Sequence, residues 1–164
     1  MAAASEKTLP ASAQRVQRVL AATGVGSTVI ELAVAARTSQ QAADALGVEV
    51  GQIAKSLIFR AVTSGRAVLV IAAGDRRVDE ARISALLDEA VERATPELVR
   101  EYSSFAIGGV APVAHAKPMV TFIDTSLRRF DVVWAAGGTP HCVFPIAPDD
   151  LVRISGGTET VTGQ

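Results

Sequence analysis

The chain has 164 residues, a length typical of a single domain, and 49% of them are hydrophobic, which excludes wholesale disorder. Its single cysteine excludes an intramolecular disulfide and a multi-cysteine metal cluster. A formal net charge of −1 excludes attachment to nucleic acid through bulk electrostatics, although a local basic patch is compatible with it. The sequence shows neither a membrane-length apolar run nor a signal-peptide pattern, so we expect a cytoplasmic protein.

The N-terminal third predicts two helices with a strand between them. Residues 1–10 are small and polar, and we expect them to form a flexible tail. Ser12 is placed to cap a helix over 13–23, and the β-branched segment at 28–32 predicts a strand. Thr38 predicts the start of a second helix, because a glutamine follows three residues later as in a capping box.

The middle of the chain predicts a hairpin followed by helices. A strand at 57–59 is expected to follow a turn at 54–56, and a buried strand is expected at 67–72. Asp79 predicts the start of a helix. Another helix is expected to begin where Thr95 precedes a proline, which suits the first helical position.

The C-terminal part predicts mainly strands. A short helix is expected over 148–153, and residues 158–164 are expected to form a flexible tail. Strands are predicted at 119–123, 132–135 and 141–146. Together the elements predict an α/β (α+β) fold: one domain over 11–157, with a mixed sheet curved or closed around an aliphatic core.

Several enzyme classes lack their motifs in this chain. No phosphate-binding loop, dinucleotide fingerprint, Gly-x-Ser-x-Gly elbow or His-Glu-x-x-His pattern is present. His115, His141 and Cys142 do not have the spacing of a zinc site. We therefore expect neither a metal nor another cofactor.

Lys55 and Ser56 stand at the entrance of an apolar segment, where burial of the lysine is expected. A buried ammonium is costly unless an anion or several acceptors partner it, so a ligand is one interpretation. The alternative is an edge-strand lysine whose ammonium reaches water.

Two glycine pairs are candidates for close contact with a ligand. Gly108 and Gly109 precede Pro112, and Gly137 and Gly138 follow a predicted strand. Glycine permits close backbone approach, and its N–H can then face a ligand oxygen. Plain turns are the alternative for both pairs.

Asp124 follows a predicted strand directly. Its carboxylate can accept a hydrogen bond from a ligand amine or hydroxyl. The alternative is that it caps the turn that follows, as an aspartate at a strand end commonly does.

Six segments, taken in order, resemble a known family. The ordered set resembles the YbaK / prolyl-tRNA-synthetase-associated domain family, the trans-editing aminoacyl-tRNA deacylases, over residues 11–157. The segments are TSQQAA at 38–43, IAKSLIF at 53–59, VLVIAAGD at 68–75, FAIGGVAPVAH at 105–115, ID at 123–124 and WAAGGTP at 134–140.

The resemblance implies a barrel-like mixed sheet with flanking helices, and hydrolysis of the ester between a wrong amino acid and tRNA, notably tRNA for proline. The family's essential lysine matches Lys55, and its glycine loop matches Gly108 and Gly109, with Pro112 after them. The chain departs from the family pattern in having Ser103-Ser104 in place of a usual Thr-Gly, and Ala111 at a proline position. Both departures bear on pocket shape.

From the resemblance we expect Lys55 to bind the terminal phosphate or ester region, and the Gly108 and Gly109 N–H groups to face the ester carbonyl. Expected partners are the acceptor end of aminoacyl-tRNA and prolyl-tRNA synthetase, without membrane or DNA. The nucleophile stays open between water, a ribose hydroxyl and a substrate side chain, as do the amino acid and the tRNA. The expected substrate-binding residues are Ser56, Pro112, His115, Asp124, Gly137 and Gly138.

Two alternatives to the deacylase hypothesis remain. One is a non-catalytic module that binds a tRNA end or nucleotide as a partner of a synthetase, and the other is a small-molecule hydrolase or an orphan binding domain. Solvated surface is the alternative interpretation for the candidate phosphate contacts, which are Arg76, Arg77, Lys117, Arg128 and Arg129.

Overall fold

The computed structural model describes residues 8–164, which contain five α-helices and eight strands. The helices are α1 Ala11–Ala22, α2 Ser39–Leu46, α3 Glu80–Leu87, α4 Pro96–Ser103 and α5 Pro148–Ser155. The strands are β1 Ile30–Glu31, β2 Ile53–Ala61, β3 Ala67–Ala73, β4 Val91–Arg93, β5 Val120–Asp124, β6 Val133–Ala136, β7 Cys142–Ile146 and β8 Thr158–Thr160.

All the strands join one mixed sheet, in the order β1-β7-β6-β2-β3-β5-β8, with β4 also paired to β2. The β2–β3 hairpin is antiparallel, whereas β2 pairs with β6, and β3 with β5, in parallel. Parallel neighbours need crossover connections, and the helices that provide them pack beside the sheet. The predicted mixed α/β fold is confirmed.

The sheet splits along one edge of β2. At the start of β2, Ile53 and Ala54 pair with β6, and at its end Phe59–Ala61 pairs with β4. Neither neighbour pairs with residues 55–57 in between. Within residues 8–164, the middle of β2 therefore has a hydrogen-bonded neighbour only on its β3 side, and a gap opens on the other.

β3 lies at the centre of the core, and every residue in it is buried. Leu69 and Ile71 pack into the larger hydrophobic cluster, and Val68 and Val70 pack into a second cluster on the opposite face. Because both faces of this strand are covered, its sequence is a continuous apolar run without alternation.

Three predicted helix starts are confirmed by their caps. The side chains of Thr38, Asp79 and Thr95 accept hydrogen bonds from backbone N–H groups of the first turns of α2, α3 and α4. The predicted Ser12 cap is wrong, because α1 already begins at Ala11 and the Ser12 hydroxyl donates instead to the Gly138 carbonyl at 3.0 Å. No helix within residues 8–164 is long and apolar enough to cross a membrane.

The end of the chain is part of the sheet, contrary to the predicted flexible tail at 158–164. Thr158–Thr160 forms β8 in parallel with β5, and Thr162 is buried beyond it. Gln164 and Arg77 exchange two backbone hydrogen bonds. Because β8 is short and polar, backbone pairing with β5 holds it in the sheet. Such pairing leaves no hydrophobic pattern in the sequence from which the strand could be predicted. Of the predicted N-terminal tail, residues 1–7 lie outside the described residues.

Candidate functional site

A cavity of about 350 Å³ opens at the split of the sheet. Its wall is formed by β2, by the start of α2, by β6, and by the loops around 107–110 and 139–143. Among residues 8–164, no carboxylate or imidazole lines this cavity. The polar and charged residues of its wall are Arg37, Thr38, Ser39, Lys55, Ser56, Arg93 and Thr139.

Lys55 lies inside β2 and is half-buried. The turn predicted at 54–56 is therefore wrong: the strand begins at Ile53, and Lys55 pairs with Ala72 of β3. Its ammonium donates to the Arg76 carbonyl at 2.7 Å. Burial and the nearby Arg93 charge lower the pKa of Lys55, and Asp75 partly opposes them.

Ser56 follows Lys55 and projects from the opposite face of β2, because side chains alternate along a strand. Its Oγ is shielded from solvent and has no hydrogen-bond partner among residues 8–164. A buried hydroxyl without a partner is uncommon, so this Oγ is a candidate for a ligand contact. Ser56 also lies in the unpaired stretch of β2 that faces the split.

Gly108 and Gly109, the first glycine pair, have different roles. Gly108 lines the cavity with a φ of +95°, which favours glycine. Gly109 packs against the next loop, where an added Cβ would lie 2.8 Å from the Thr139 Cα. The Gly109 N–H donates to the Ala106 carbonyl at 3.0 Å, so in this structure it does not face the cavity as expected.

Gly137 and Gly138 pack closely against neighbouring residues and do not line the cavity. A Cβ on Gly138 would lie 2.9 Å from the Ser12 carbonyl group, and the φ of Gly138 is +107°. Gly137 donates to the Cys142 carbonyl at 2.7 Å. The alternative interpretation, a turn, describes both residues, and the two residues that follow them line the cavity.

Pro112 and His115 also lie outside the cavity wall. Pro112 is buried. His115 Nε2 lies 2.7 Å from the Ala111 carbonyl oxygen, and its ring meets Phe105 edge-on at 6.3 Å between centroids. Burial lowers the pKa of His115, the Ala111 contact opposes this, and the Arg15 charge adds to the lowering. These contacts give the histidine a packing role beside the glycine loop.

Asp124 has a structural role, as predicted by the alternative interpretation that it caps the turn after its strand. One carboxylate oxygen accepts from the backbone N–H and hydroxyl of Ser126, and the other accepts from the N–H and hydroxyl of Thr162 at 2.7 and 2.8 Å. Burial raises the pKa of Asp124, but these four hydrogen bonds outweigh it and lower the pKa. The predicted contact between Asp124 and substrate is therefore not supported.

Four of the candidate phosphate-binding residues are already paired with carboxylates, among them Arg76, whose Nε lies 3.8 Å from Asp75 Oδ1. Arg129 pairs with Asp75, Arg128 with Glu159 and Asp149, and Lys117 with Glu101. The arginines that line the cavity within the described part of the chain are instead Arg37 and Arg93. Neither belongs to a motif, and only the pairing of β4 with β2 brings Arg93 there.

Trp134 is a cavity residue that sequence analysis did not identify. The side chain is half-buried and lines the wall on β6. The pairing of Trp134 with Ile53 joins residues about eighty positions apart, and no local pattern signals it. Within residues 8–164, no three His, Cys, Asp or Glu side chains come together as a metal-binding group.

The sequence profile of the aminoacyl-tRNA editing domain matches residues 33–154. An uncharacterized protein of Bacillus subtilis (strain 168), YwhH, is 32% identical over 127 residues, which cover 77% of this chain and 80% of that protein. A proline–tRNA ligase of Nitratidesulfovibrio vulgaris (strain Hildenborough) is 32% identical over 103 residues, 62% of this chain but only 17% of the ligase.

Solved structures resemble the chain over nearly its whole length. One, described as a proposed trans-editing enzyme for prolyl tRNA synthetase, has a TM-score of 0.90 and 41% identity. The match covers 96% of this chain and 99% of the other. The likeness therefore includes the strands and loops that surround the cavity.

Proposed function

Because the chain belongs to the aminoacyl-tRNA editing domain family, we propose that it hydrolyses, in trans, the ester of tRNA for proline that carries a small wrong amino acid. The observation that carries the proposal is the cavity at the split of β2, which has Lys55 in its wall and, among residues 8–164, no carboxylate or imidazole. A solved structure that is 41% identical to this chain is described as a proposed trans-editing enzyme for prolyl tRNA synthetase, and this supports tRNA for proline as the substrate.

The size of the cavity suits one aminoacyl group and part of the terminal nucleotide. Its volume of about 350 Å³ is near the lower end of small-molecule sites, which span roughly 300–1,000 Å³. A hydrophobic pocket separates ligands that differ by one methylene only about 10- to 200-fold. Exclusion of the larger, correct amino acid is therefore the effective way for such a site to select its substrate.

Lys55 acts as a cation in the proposed mechanism. An ammonium has three N–H donors, and the Arg76 carbonyl accepts one of them. The remaining donors can bind the terminal phosphate or ester region of the tRNA end. Because Lys55 is half-buried, such a contact is screened less there than it is in water.

Gly108 is the proposed source of a backbone donor to the ester oxygen. Its N–H has no acceptor among residues 8–164, in contrast to the N–H of Gly109. The positive φ of Gly108 turns the loop at the cavity wall. A backbone N–H held in this way stabilises negative charge that develops on the ester oxygen during hydrolysis.

The nucleophile comes from water or from the substrate in this proposal. The part of the cavity wall that residues 8–164 form contains neither a carboxylate nor an imidazole, so none of these residues supplies a suitable general base there. An aminoacyl ester is already activated, so positioning and charge stabilisation supply most of what hydrolysis needs. A ribose hydroxyl, a substrate side chain and a water molecule are the three candidates.

Recognition of tRNA is proposed to be confined to the acceptor end. The chain has a net charge of −1, and none of the five candidate phosphate contacts lines the cavity, whose wall instead includes Arg37 and Arg93. Delivery of substrate by prolyl-tRNA synthetase would compensate for weak binding of the tRNA body. This role in translation would place the protein in the cytoplasm.

The test is deacylation of alanyl-, cysteinyl- and seryl-tRNA for proline, with prolyl-tRNA as the correct product, by wild type, Lys55→Ala and Lys117→Ala. We expect hydrolysis of one small amino acid with prolyl-tRNA spared. Lys55→Ala should lose turnover by about 100-fold or more, as the loss of a transition-state donor does. Lys117 is an exposed lysine paired with Glu101, so its substitution should leave turnover unchanged.

Two results would contradict the proposal. One is no hydrolysis of any substrate with prolyl-tRNA synthetase present, combined with binding of the tRNA end, which would favour a non-catalytic module. The other is near-normal hydrolysis by Lys55→Ala that is folded by circular dichroism.

A further inference from the structure

We infer that Asp75, held by Arg129, is a positioning residue for the Lys55 ammonium. The inference rests on the proposed role of Lys55 as the cation of the deacylation site. Neither Asp75 nor Arg129 lines the cavity, so their effect passes through the backbone turn that Lys55 contacts.

The turn after β3 connects the ion pair to Lys55. Asp75 and Arg76 are adjacent, and the Arg76 carbonyl accepts from the Lys55 ammonium at 2.7 Å. The Arg129 guanidinium donates two parallel hydrogen bonds to the Asp75 carboxylate, at 2.7 and 2.9 Å. Fork-to-fork pairing of this kind fixes direction as well as distance.

Arg129 is itself anchored to a neighbouring strand end. Its Nε donates to the Ser126 carbonyl at 2.7 Å, in the turn that follows β5. β3 and β5 are parallel neighbours, so the turns that follow them lie side by side. Arg129 therefore ties the turn that holds Lys55 to the next strand of the sheet.

Close packing leaves this turn little freedom. A Cβ on Gly74 would lie 2.4 Å from the Val50 carbonyl oxygen, and a Cβ on Gly51 would lie 3.0 Å from the Asp75 carboxylate. The contact at Gly74 requires glycine there, and the contact at Gly51 is tighter than most Cβ contacts. The ion pair and the 3₁₀ helix Val50–Gln52 thus hold the turn from two sides.

Asp75 also acts on Lys55 through its charge. The charges that act on Lys55 are those of Arg93 on β4 and Asp75 in the turn after β3. Arg93 disfavours the protonated ammonium, as burial does, whereas Asp75 favours it. The hydrogen bond from Arg129 lowers the pKa of Asp75 and so keeps the carboxylate charged.

Two variants separate the charge of Asp75 from its anchorage. Asp75→Asn removes the charge and can retain one hydrogen bond to Arg129. Arg129→Gln removes the anchor and leaves the charge. Arg128→Gln is the matched control, because Arg128 is the neighbouring residue and also makes paired hydrogen bonds to a carboxylate, that of Glu159.

The readouts are the pH dependence of kcat and the titration of the Lys55 ammonium by NMR with isotope-labelled lysine. The Lys55 resonance is identified by its absence from the Lys55→Ala spectrum. The protonated lysine is the active form, so turnover falls as pH rises through its pKa. Asp75→Asn removes a charge that raises this pKa, so both the titration and the alkaline loss of turnover should move to lower pH.

Arg129→Gln should lower kcat about 10-fold without moving the alkaline loss to lower pH, because misplacement of a catalytic group is costly and the Asp75 charge remains. Arg128→Gln should behave as wild type. If Arg129→Gln fails to fold by circular dichroism, Arg129→Lys replaces it, with an effect in the same direction.

An unchanged Lys55 pKa in Asp75→Asn overturns the inference, as does a kcat of Arg129→Gln equal to that of Arg128→Gln. Absence of deacylation by wild type would overturn the proposed function instead. The NMR titration would then still decide the inference, since it needs no turnover.

Discussion

Lys55 and Asp124 are both charged residues on central strands, and they differ in how many of their hydrogen-bonding positions the chain fills. The four acceptor positions of the Asp124 carboxylate are filled by Ser126 and Thr162. The ammonium of Lys55 donates to one backbone carbonyl, and its residue lines a cavity. Hydrogen-bonding capacity that the fold leaves unfilled therefore distinguishes the candidate catalytic residue from the structural one.

The surroundings of the two residues explain this difference. β5, which ends at Asp124, has a neighbour along both edges, so its end is closed by β8 and by the burial of Thr162. β2 lacks a neighbour on one edge beside Lys55, where β4 and β6 separate. A gap in a sheet exposes polar backbone and side-chain groups to a ligand, and a closed edge does not.

The largest effect that tests this comparison is on stability. Asp124→Ala leaves the buried N–H and hydroxyl of Thr162 without an acceptor, and we expect it to lower the free energy of unfolding by about 3 kcal/mol. For a chain of this length that corresponds to a decrease in Tm of about 6–12 °C. At a temperature where the variant is folded, its kcat should equal that of wild type.

Thermal unfolding measures the predicted loss of stability in Asp124→Ala, and single-turnover deacylation tests whether its activity is unchanged. Lys55→Ala should show the converse, with turnover lost and the Tm little changed. A large loss of kcat in folded Asp124→Ala would contradict this comparison, because it would mean that Asp124 contributes to activity.

Acid should remove the Asp124 contribution. The pKa of Asp124 is lowered in the folded state, so its contribution to stability is fully present above its unfolded pKa of about 3.9. It is lost as pH falls through the folded pKa. The difference in urea midpoint between wild type and Asp124→Ala should therefore shrink steadily below pH 4, and a constant difference would contradict this assignment.

Local signals predicted the elements that depend on local chemistry. The caps at Thr38, Asp79 and Thr95 are short-range patterns, and the buried run of β3 is a composition signal, so all of them could be found. β4 and β8 have three residues each and are held by pairing with distant strands. Their sequences contain no hydrophobic period that would identify them.

The candidate site divides in the same way. Lys55, Ser56 and Gly108 were found because residue type and neighbours indicated a buried cation and a backbone loop, and all three line the cavity. The second glycine pair was singled out by composition, yet close packing of α1 and β7 explains those glycines. The cavity itself depends on where β6 and β4 leave β2, which is a property of long-range pairing.

The smallest predicted effect concerns Ser56, where stability and activity should respond differently. Its Oγ has no partner among residues 8–164, so Ser56→Ala removes no hydrogen bond of the folded chain and should leave the Tm unchanged or slightly raised. If the hydroxyl binds substrate, KM should rise about 2- to 10-fold, the value of one net hydrogen bond of about 0.5–1.5 kcal/mol.

Ser103 provides the matched control for Ser56. Its buried hydroxyl donates to the Val99 carbonyl at 2.6 Å and accepts from the Phe105 N–H at 3.0 Å. Ser103→Ala should therefore lower the free energy of unfolding by about 1–2 kcal/mol and leave KM unchanged. If Ser56→Ala instead lowered the Tm and left KM unchanged, the Ser56 hydroxyl would be structural, and unfilled hydrogen-bonding capacity would no longer mark the site.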